Sequence, residues 1–413
     1  MIWERYKVIG AQLKTQIALG LRMKTEGVRI IIREFQKGVV MKKSVLLFSF
    51  LLIFSSVIYA QEIIENPEKP LSEKAGRVVN LERILQVKDT GAEFFFQYPL
   101  NPKIAADNSF FIKDSNQLLR FDQTGRFIQN YFKEGQGPGE MVFIGNYNFF
   151  QDGIIIQSYN PPKLMWFNFS GELLKEMTIP RMAGSTYLFN RGDNFYFIKA
   201  QFPRISGESR IVDAPQELIM FTDSGEKSVD LAEFPTKQYV VRGKKGGAGA
   251  VPINNLITTS FQNRFLFLSH TLEYSIKLYD AEENQVTKII KRKYNRVRSS
   301  KEIEDRKGVP IIDGNVVTPP PQKYANDIEH LFIVNDKLWV LTSTRDEEQR
   351  ALIDVFDIGG KYIDNFYLLL PKGLTSLGFH LKLIYIYGGF LLAIEKNQDE
   401  TYSLVKYKII DEN

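Results

Sequence analysis

The sequence predicts an all-β protein, a six-bladed β-propeller of four-stranded antiparallel blades whose ring is closed by an N-terminal strand. Three observations predict it. A strand–turn–strand unit recurs six times. The turns carry the residues that tight hairpins demand. The sixth unit stops one strand short, while a strand-like segment ahead of the first unit has no partner of its own.

In each unit a short aromatic and branched run follows a turn signal. These runs are 110–113, 153–157, 195–199, 264–269, 338–342 and 390–395. The signals before them are Asp107-Asn108, Gln151-Asp152, Gly192-Asp193, Gln262-Asn263, Asn335-Asp336 and Gly388-Gly389. A second run then ends near an aromatic landmark: Phe121, Phe167, Phe221, Tyr279, Phe356 and Tyr407, spaced by 46, 54, 58, 77 and 51 residues. Repeats of about 40–50 residues holding four strands are the mark of propeller blades.

After four landmarks a polar residue precedes Gly by three positions: Asp122/Gly125, Asn168/Gly171, Thr222/Gly225 and Asp357/Gly360. That spacing suits a type I turn closed by a residue with positive φ, which Gly adopts without steric cost. Unit four has Glu283-Asn284 instead, and Asn also tolerates a left-handed backbone. The segment 77–87, RVVNLERILQV, reads as a strand and is expected to supply the missing outer strand of blade six, leaving no open seam.

The run KEGQGPGEMVFIGN at 133–146 resembles the signature of bacterial six-bladed propellers related to NHL-repeat proteins. In that family a G-x-G-P-G-E segment links one blade to the next. The matching residues are Gly135, Gly137, Pro138, Gly139 and Glu140. The resemblance implies the fold and assigns no activity. A phosphate cradle is excluded, because no Lys-Ser/Thr end and no helix follow the glycines.

Residues 41–60, MKKSVLLFSFLLIFSSVIYA, have the order of a secretory signal peptide: a basic start, an apolar stretch shorter than a membrane span, and a small residue at Ala60. Residues 1–40 then read as an extension upstream of the true start, 61–75 as a linker and 76–413 as the propeller. The mature chain is expected in the periplasm or outside the cell, and not to span a membrane. Residues 1–40 carry eight Lys or Arg against three Glu, and Lys42 and Lys43 follow. Without them the net charge falls from +5 to near −2, so no general case for nucleic-acid binding stands. The absence of cysteine excludes disulfides, thiolate metal sites and Cys nucleophiles.

Strand parity predicts where function sits. In an up-and-down blade, the second-to-third and blade-to-blade connections share one end, and that end receives the long insertions 201–217, 232–255 and 291–327. The opposite end keeps short turns, with Gln123, Ser170 and Ser224 on its rim. Three features of the long-loop end are candidates. The run 288–301 holds seven basic residues and no acidic one, and Lys291, Arg292, Lys293, Arg296 and Arg298 are expected to meet an acidic ligand. The Gly-rich segment 241–252 reads as a flexible loop. All three histidines, His270, His330 and His380, map there, with His330 and His380 on inner strands facing the channel if their side chains point inward.

Two function classes follow. The first is a non-catalytic binding or assembly module for an envelope or extracellular glycan, peptide or protein, with no cofactor. The second is a calcium-dependent hydrolase or lyase resembling gluconolactonases and paraoxonases, with Asn146, Asn148, Asn254, Asn255, Asp327 and Glu329 as candidate ligands.

Overall fold

A computed structural model describes residues 61–89, 91, 93–180, 185–201, 208–222, 229–242, 248–300, 311–312, 315–316, 319–371 and 383–411. The chain opens with β1 (Glu62–Asn66) and β2 (Arg77–Lys88). Blade one is β3 (Pro99–Ile104), β4 (Phe110–Asp114), β5 (Gln117–Phe121) and β6 (Phe127–Asn130). Blade two is β7 (Phe143–Phe150), β8 (Gly153–Asn160), β9 (Pro162–Asn168) and β10 (Leu173–Thr178). Blade three is β11 (Ser185–Arg191), β12 (Asn194–Ala200), β14 (Gln216–Thr222) and β15 (Val229–Phe234), with β13 (Arg210–Asp213) inserted. The connection that leaves it holds β16 (Lys237–Arg242) and β17 (Ala248–Pro252). Blade four is β18 (Ile257–Phe261), β19 (Phe265–Ser269), β20 (Ser275–Asp280) and β21 (Gln285–Arg292), followed by a small hairpin, β22 (Ile311–Ile312) and β23 (Asn315–Val316). Blade five is β24 (Ile328–Val334), β25 (Lys337–Arg345), β26 (Ala351–Asp357) and β27 (Tyr362–Leu368). Blade six is β28 (Ile384–Tyr387), β29 (Phe390–Lys396) and β30 (Tyr402–Ile410), completed by β2.

The runs in the second strands are continuously apolar because both faces of each blade are buried. Side chains alternate across a strand. Phe110 and Ile112 therefore enter the core between blades six and one, while Phe111 enters the core between blades one and two. Likewise Ile154 and Ile156 face blade one and Ile155 faces blade three. Further cores lie between blades three and four around Tyr196 and Leu266, between four and five around Ile290 and Phe356, and between five and six around Leu341 and Leu391. Every blade thus packs on two neighbours, which closes the ring. All six landmark aromatics are buried.

The turn chemistry is as the sequence predicts. Asn108, Gln151, Gly192, Asn263, Asp336 and Gly389 all have positive φ at the first-to-second turns. Gly125, Gly171, Asn284 and Gly360 do so after the landmarks, and Gly225 lies outside the described residues.

The N-terminal strand closes the ring. β2 pairs antiparallel with β30, from Asn80↔Ile410 to Lys88↔Ser403, as the outer strand of blade six. Its first residues also pair in parallel with β27, so blades five and six form one eight-stranded sheet. Residues 61–75 are not a plain linker. β1 lies parallel to β21 as a fifth strand of blade four. Asn66 is buried there, its Nδ2 donating to Lys291 O (3.0 Å) and Gly360 O (2.9 Å) while its Oδ1 accepts from Tyr362 N (2.8 Å).

Candidate functional site at the long-loop end

The insertions assemble on one another. β13 comes from inside blade three and β16–β17 from the connection to blade four, yet they form one three-stranded sheet in the order β13-β16-β17. That pairing requires both insertions at the same end, as strand parity demands. The segment 241–252 is therefore partly strand: its described residues belong to β16 and β17, and 243–247 lie outside the description. Gln322 Nε2 donates to Ile253 O (3.3 Å), bringing the blade four-to-five connection to the same place.

A short turn, 270–274, is the hub of this end. Asn254 is buried and spans three segments: its Nδ2 donates to Pro235 O (3.3 Å) and His270 O (2.7 Å), and its Oδ1 accepts from Lys237 N (2.8 Å). Asn255 N donates to Thr271 Oγ1 (3.2 Å), and Asp327 N donates to Thr271 O (2.9 Å). Thr271 is buried with φ +66°, a conformation that costs a β-branched residue on the order of 1–3 kcal/mol and persists only where surroundings over-determine it. The structure thus brings together His270, Asn254, Asn255, Asp327 and Arg296 from the sequence candidates.

Their roles differ from those the sequence suggests. Burial pushes the Asp327 carboxyl up, and Arg296, whose Nε donates at 2.8 Å, works against that shift. Glu329 accepts from Arg345 Nη2 (2.6 Å). Asn146 Nδ2 donates to Tyr187 O (2.8 Å) and Asn148 Nδ2 to Leu188 O, tying blade two to blade three. The two acids face guanidinium groups, and the amides hold neighbouring strands. Among the described residues no group of three or more His, Asp or Glu is placed to hold a metal.

Only part of the basic run is open to a ligand. Arg292 is buried against Asp354, itself fully buried. Its guanidinium lies over the rings of Tyr362 (4.8 Å), Tyr294 (5.4 Å) and Tyr274 (5.5 Å). Burial opposes its charge, and the Asp354 carboxylate more than offsets that, holding it above its ordinary range. Arg296 donates to Asp327 and Leu272 O and Lys291 lies 3.9 Å from Glu65, while Lys293, whose backbone N donates to Asn66 O, and Arg298, whose backbone bridges Tyr324, are exposed. Replacing Arg292 would therefore disturb the fold, because it leaves the fully buried Asp354 without its guanidinium partner.

His330 sits on the inner strand β24, on the side of Phe332 and Val334, which belong to the core between blades five and six. Its ring meets that of Phe332 edge-on at 4.3 Å, so it packs between blades, and Nδ1 is buried without a partner. His380 lies outside the described residues. His270 Nε2 is 3.3 Å from Glu273. Burial pushes the His330 imidazole down to about 4. An imidazole neutral in the folded chain and protonated in the unfolded one leaves stability intact above pH about 6.5 and lowers it as pH falls from there towards 4, by at most about 3 kcal/mol. The expected result is a pH-dependent melting temperature over that window that flattens in His330→Leu; equal slopes for both proteins would refute it.

The glycine signature is a structural loop between blades one and two. Gly137 N donates to Glu140 Oε2 (2.9 Å), and a Cβ on Gly135 would lie 2.0 Å from the same oxygen. Lys163 Nζ donates to Gly137 O (2.8 Å) and Glu176 (2.8 Å), and Glu176 accepts from Gly139 N (2.9 Å). Carboxylates therefore fill the N–H groups that a phosphate would need.

What the sequence did not reveal is a set of exposed aromatics at this same end. Phe95, Tyr98, Phe143 and Tyr159 are 40–68% exposed, each at a blade-to-blade or second-to-third connection of blades one and two. The loop bearing Tyr98 is held by Asp114, which accepts from Gln97 N (2.6 Å) and Tyr98 N. Strand parity was the available signal, applied to aromatics rather than to charges.

The family match agrees with the fold. A family described as a 6-bladed beta-propeller matches residues 85–213, which hold blades one and two and the start of blade three. A structure of a DUF4221-family protein from Bacteroides vulgatus is similar at 10% identity and a TM-score of 0.49, over 82% of this chain and 99% of that one. A Bacteroides fragilis chain described as a candidate exported protein is similar at 11% identity and a TM-score of 0.46, over 85% and 100%. A gluconolactonase from Xanthomonas campestris is similar at 10% identity and a TM-score of 0.38, over 81% and 98%. No curated protein sequence matches. No helix among the described residues is long and apolar enough to cross a membrane. The chain is a six-bladed β-propeller.

Proposed function

We propose that this propeller is an exported, non-catalytic binding module that receives a glycan, peptide or envelope protein at its long-loop end. The observation that carries the reading is the asymmetry of the two ends. One holds an added sheet, β13-β16-β17, and the exposed aromatics of blades one and two; the other is closed by tight turns. Exposed aromatics over a rigid scaffold are the residues binding surfaces enrich. The acids and amides that a calcium enzyme would use are engaged by arginines and backbone. Export rests on the basic start, apolar stretch and small residue of 41–60, with cleavage after Ala60, and mass spectrometry of native protein beginning elsewhere than Gln61 would remove that part. The binding part is tested by a screen against envelope glycans and peptides with two variants. Tyr98→Ala with Phe143→Ala is expected to weaken any hit at least tenfold, and Gln123→Ala with Ser170→Ala to leave it unchanged. The reverse pattern would place function at the wrong end.

A further inference from the structure

Lys103 departs from the way this chain treats its enclosed cations. Arg292 meets Asp354, Lys163 meets Glu176, Lys199 meets Glu217 and Arg345 meets Glu329. Lys103 Nζ instead donates to two neutral oxygens, Tyr147 O (2.6 Å) and Asn148 Oδ1 (2.9 Å), and lies over the Tyr147 ring at 4.8 Å. Buried charges are ordinarily paired, and an enclosed lysine without a counter-charge gives up its proton readily. Burial brings the Lys103 amine down to about 7, and among the described residues no carboxylate opposes that shift.

The surroundings match the neutral amine better than the ammonium. An ammonium carries three N–H donors, whereas a neutral amine carries two and a lone pair. Tyr147 O and Asn148 Oδ1 satisfy both donors of the neutral form, which leaves the lone pair unengaged. Asn148 is itself held in place, because its Nδ2 donates to Leu188 O, and Asn101 Nδ2 donates to Asn146 Oδ1 (3.4 Å) one rung away on the same two strands. Lys103 is the penultimate residue of inner strand β3, beside the turn to β4 at the trimmed end, and it keeps part of its surface open. Lys406, whose amine burial also lowers, is closed off by comparison: it is 8% exposed and lies over Phe390 (4.2 Å) and Phe110 (5.1 Å).

We propose that Lys103 is a covalent capture site for small carbonyl compounds, its Nζ condensing reversibly with an aldehyde or α-oxo acid to give an imine. The Nζ lone pair forms the new bond to the carbonyl carbon. The carbonyl oxygen leaves as water, taking both amine protons, and hydrolysis returns the free amine and the carbonyl compound. The site lies at the trimmed end of the inner strands, away from the long-loop face, and does not rest on the binding role proposed there.

The test treats the full-length protein with glyoxylate and cyanoborohydride, which reduces an imine to a stable carboxymethyl amine, and ranks the lysines by peptide mapping in a mass spectrometer. Near neutral pH roughly half of an amine with pKa about 7 is unprotonated, against roughly one in a thousand or fewer for a lysine at about 10.4. Lys103 is therefore expected to be labelled at least tenfold faster than the exposed Lys361 and Lys408, with the advantage gone at strongly alkaline pH. Asn148→Asp sets a carboxylate beside the amine and is expected to slow labelling of Lys103 at neutral pH at least tenfold, while Lys361 and Lys408 keep their rates. A lysine that is merely accessible would not respond to that change. Labelling of Lys103 no faster than that of Lys361, labelling that appears only in urea, or an unchanged rate in a folded Asn148→Asp protein overturns the proposal. Should Asn148→Asp fail to fold, the pH profile of the unaltered protein decides: a Lys103 rate that levels off just above neutral pH supports the site, and one that climbs in step with Lys361 overturns it.

Discussion

Asp354→Ala is expected to destabilise the protein by about 3–5 kcal/mol in a urea unfolding experiment, a large share of the roughly 5–15 kcal/mol that holds most domains folded. Asp354 is fully buried on β26, at the interface of blades four and five. It accepts from Tyr274 OH (2.6 Å), Tyr362 OH (2.7 Å) and Arg292 Nη1, and Asn365 Nδ2 in turn donates to Tyr362 OH (2.7 Å). Burial, and then the Asp354 charge, hold both tyrosines above their ordinary range, so both hydroxyls stay protonated as donors. Removing the carboxylate leaves a guanidinium in the core whose Nε already lacks a partner, together with two hydroxyls without their acceptor. Tyr362→Phe and Tyr274→Phe remove one donor each and are expected to cost only about 1 kcal/mol. Arg292→Met with Asp354→Leu removes both charges, and is expected to recover most of the loss because it abolishes the desolvation penalty along with the attraction. An Asp354→Ala protein within about 1 kcal/mol of wild type would show that the network does not stabilise the blade interface.

The same network explains what could and could not be read from the sequence. Blade count, turn residues and the closing strand were legible because each leaves a local trace: a doubly buried apolar run such as FLLAI at 390–394, a positive-φ pair such as Asn335-Asp336, and the alternation in RVVNLERILQV. The long-loop end was legible too, since parity follows from strand count alone. The site was not. A run of seven basic residues looks the same whether its charges meet water or carboxylates. Asp354 stands 62 residues from Arg292, Asp327 stands 31 from Arg296, and nothing local couples them. β1 escaped notice because only Asn66 of its five residues is buried, so EIIEN shows no apolar face; its place is set by a parallel ladder to residues more than 200 positions away. Tyr98 and Phe143 were invisible for the opposite reason, since exposed aromatics read in sequence as core.

Deleting 61–88 is expected to abolish cooperative thermal unfolding and cause aggregation, and deleting 61–72 to produce a folded protein of clearly lower melting temperature. The first deletion removes β2, whose nine-residue partner β30 would become an exposed edge beside the core that Val79 and Val87 help to bury. It also removes Arg77, which bonds Asp411 (2.8 Å) and Asp364 (2.9 Å) and so fastens the last strand to blade five. Without these contacts blades five and six share no sheet, and a propeller open at one seam exposes apolar surface on both sides. The second deletion spares β2 but removes β1. Blade four then loses its fifth strand, and two buried groups, Gly360 O and Tyr362 N, together with the part-buried Lys291 O, lose the Asn66 amide. Leaving buried polar groups unsatisfied costs about 1–3 kcal/mol each, less wherever water reaches the vacated site. Asn66→Ala alone should therefore reproduce much of the shorter deletion's loss, with the strand ladder and Ile64, which packs against Ile290 and its neighbours, accounting for the rest. Circular dichroism melts of the four proteins decide the matter: equal melting temperatures for the full chain and the 61–72 deletion would reduce β1 to a decoration, and a cooperative melt after removal of 61–88 would show that the ring closes without its N-terminal strand.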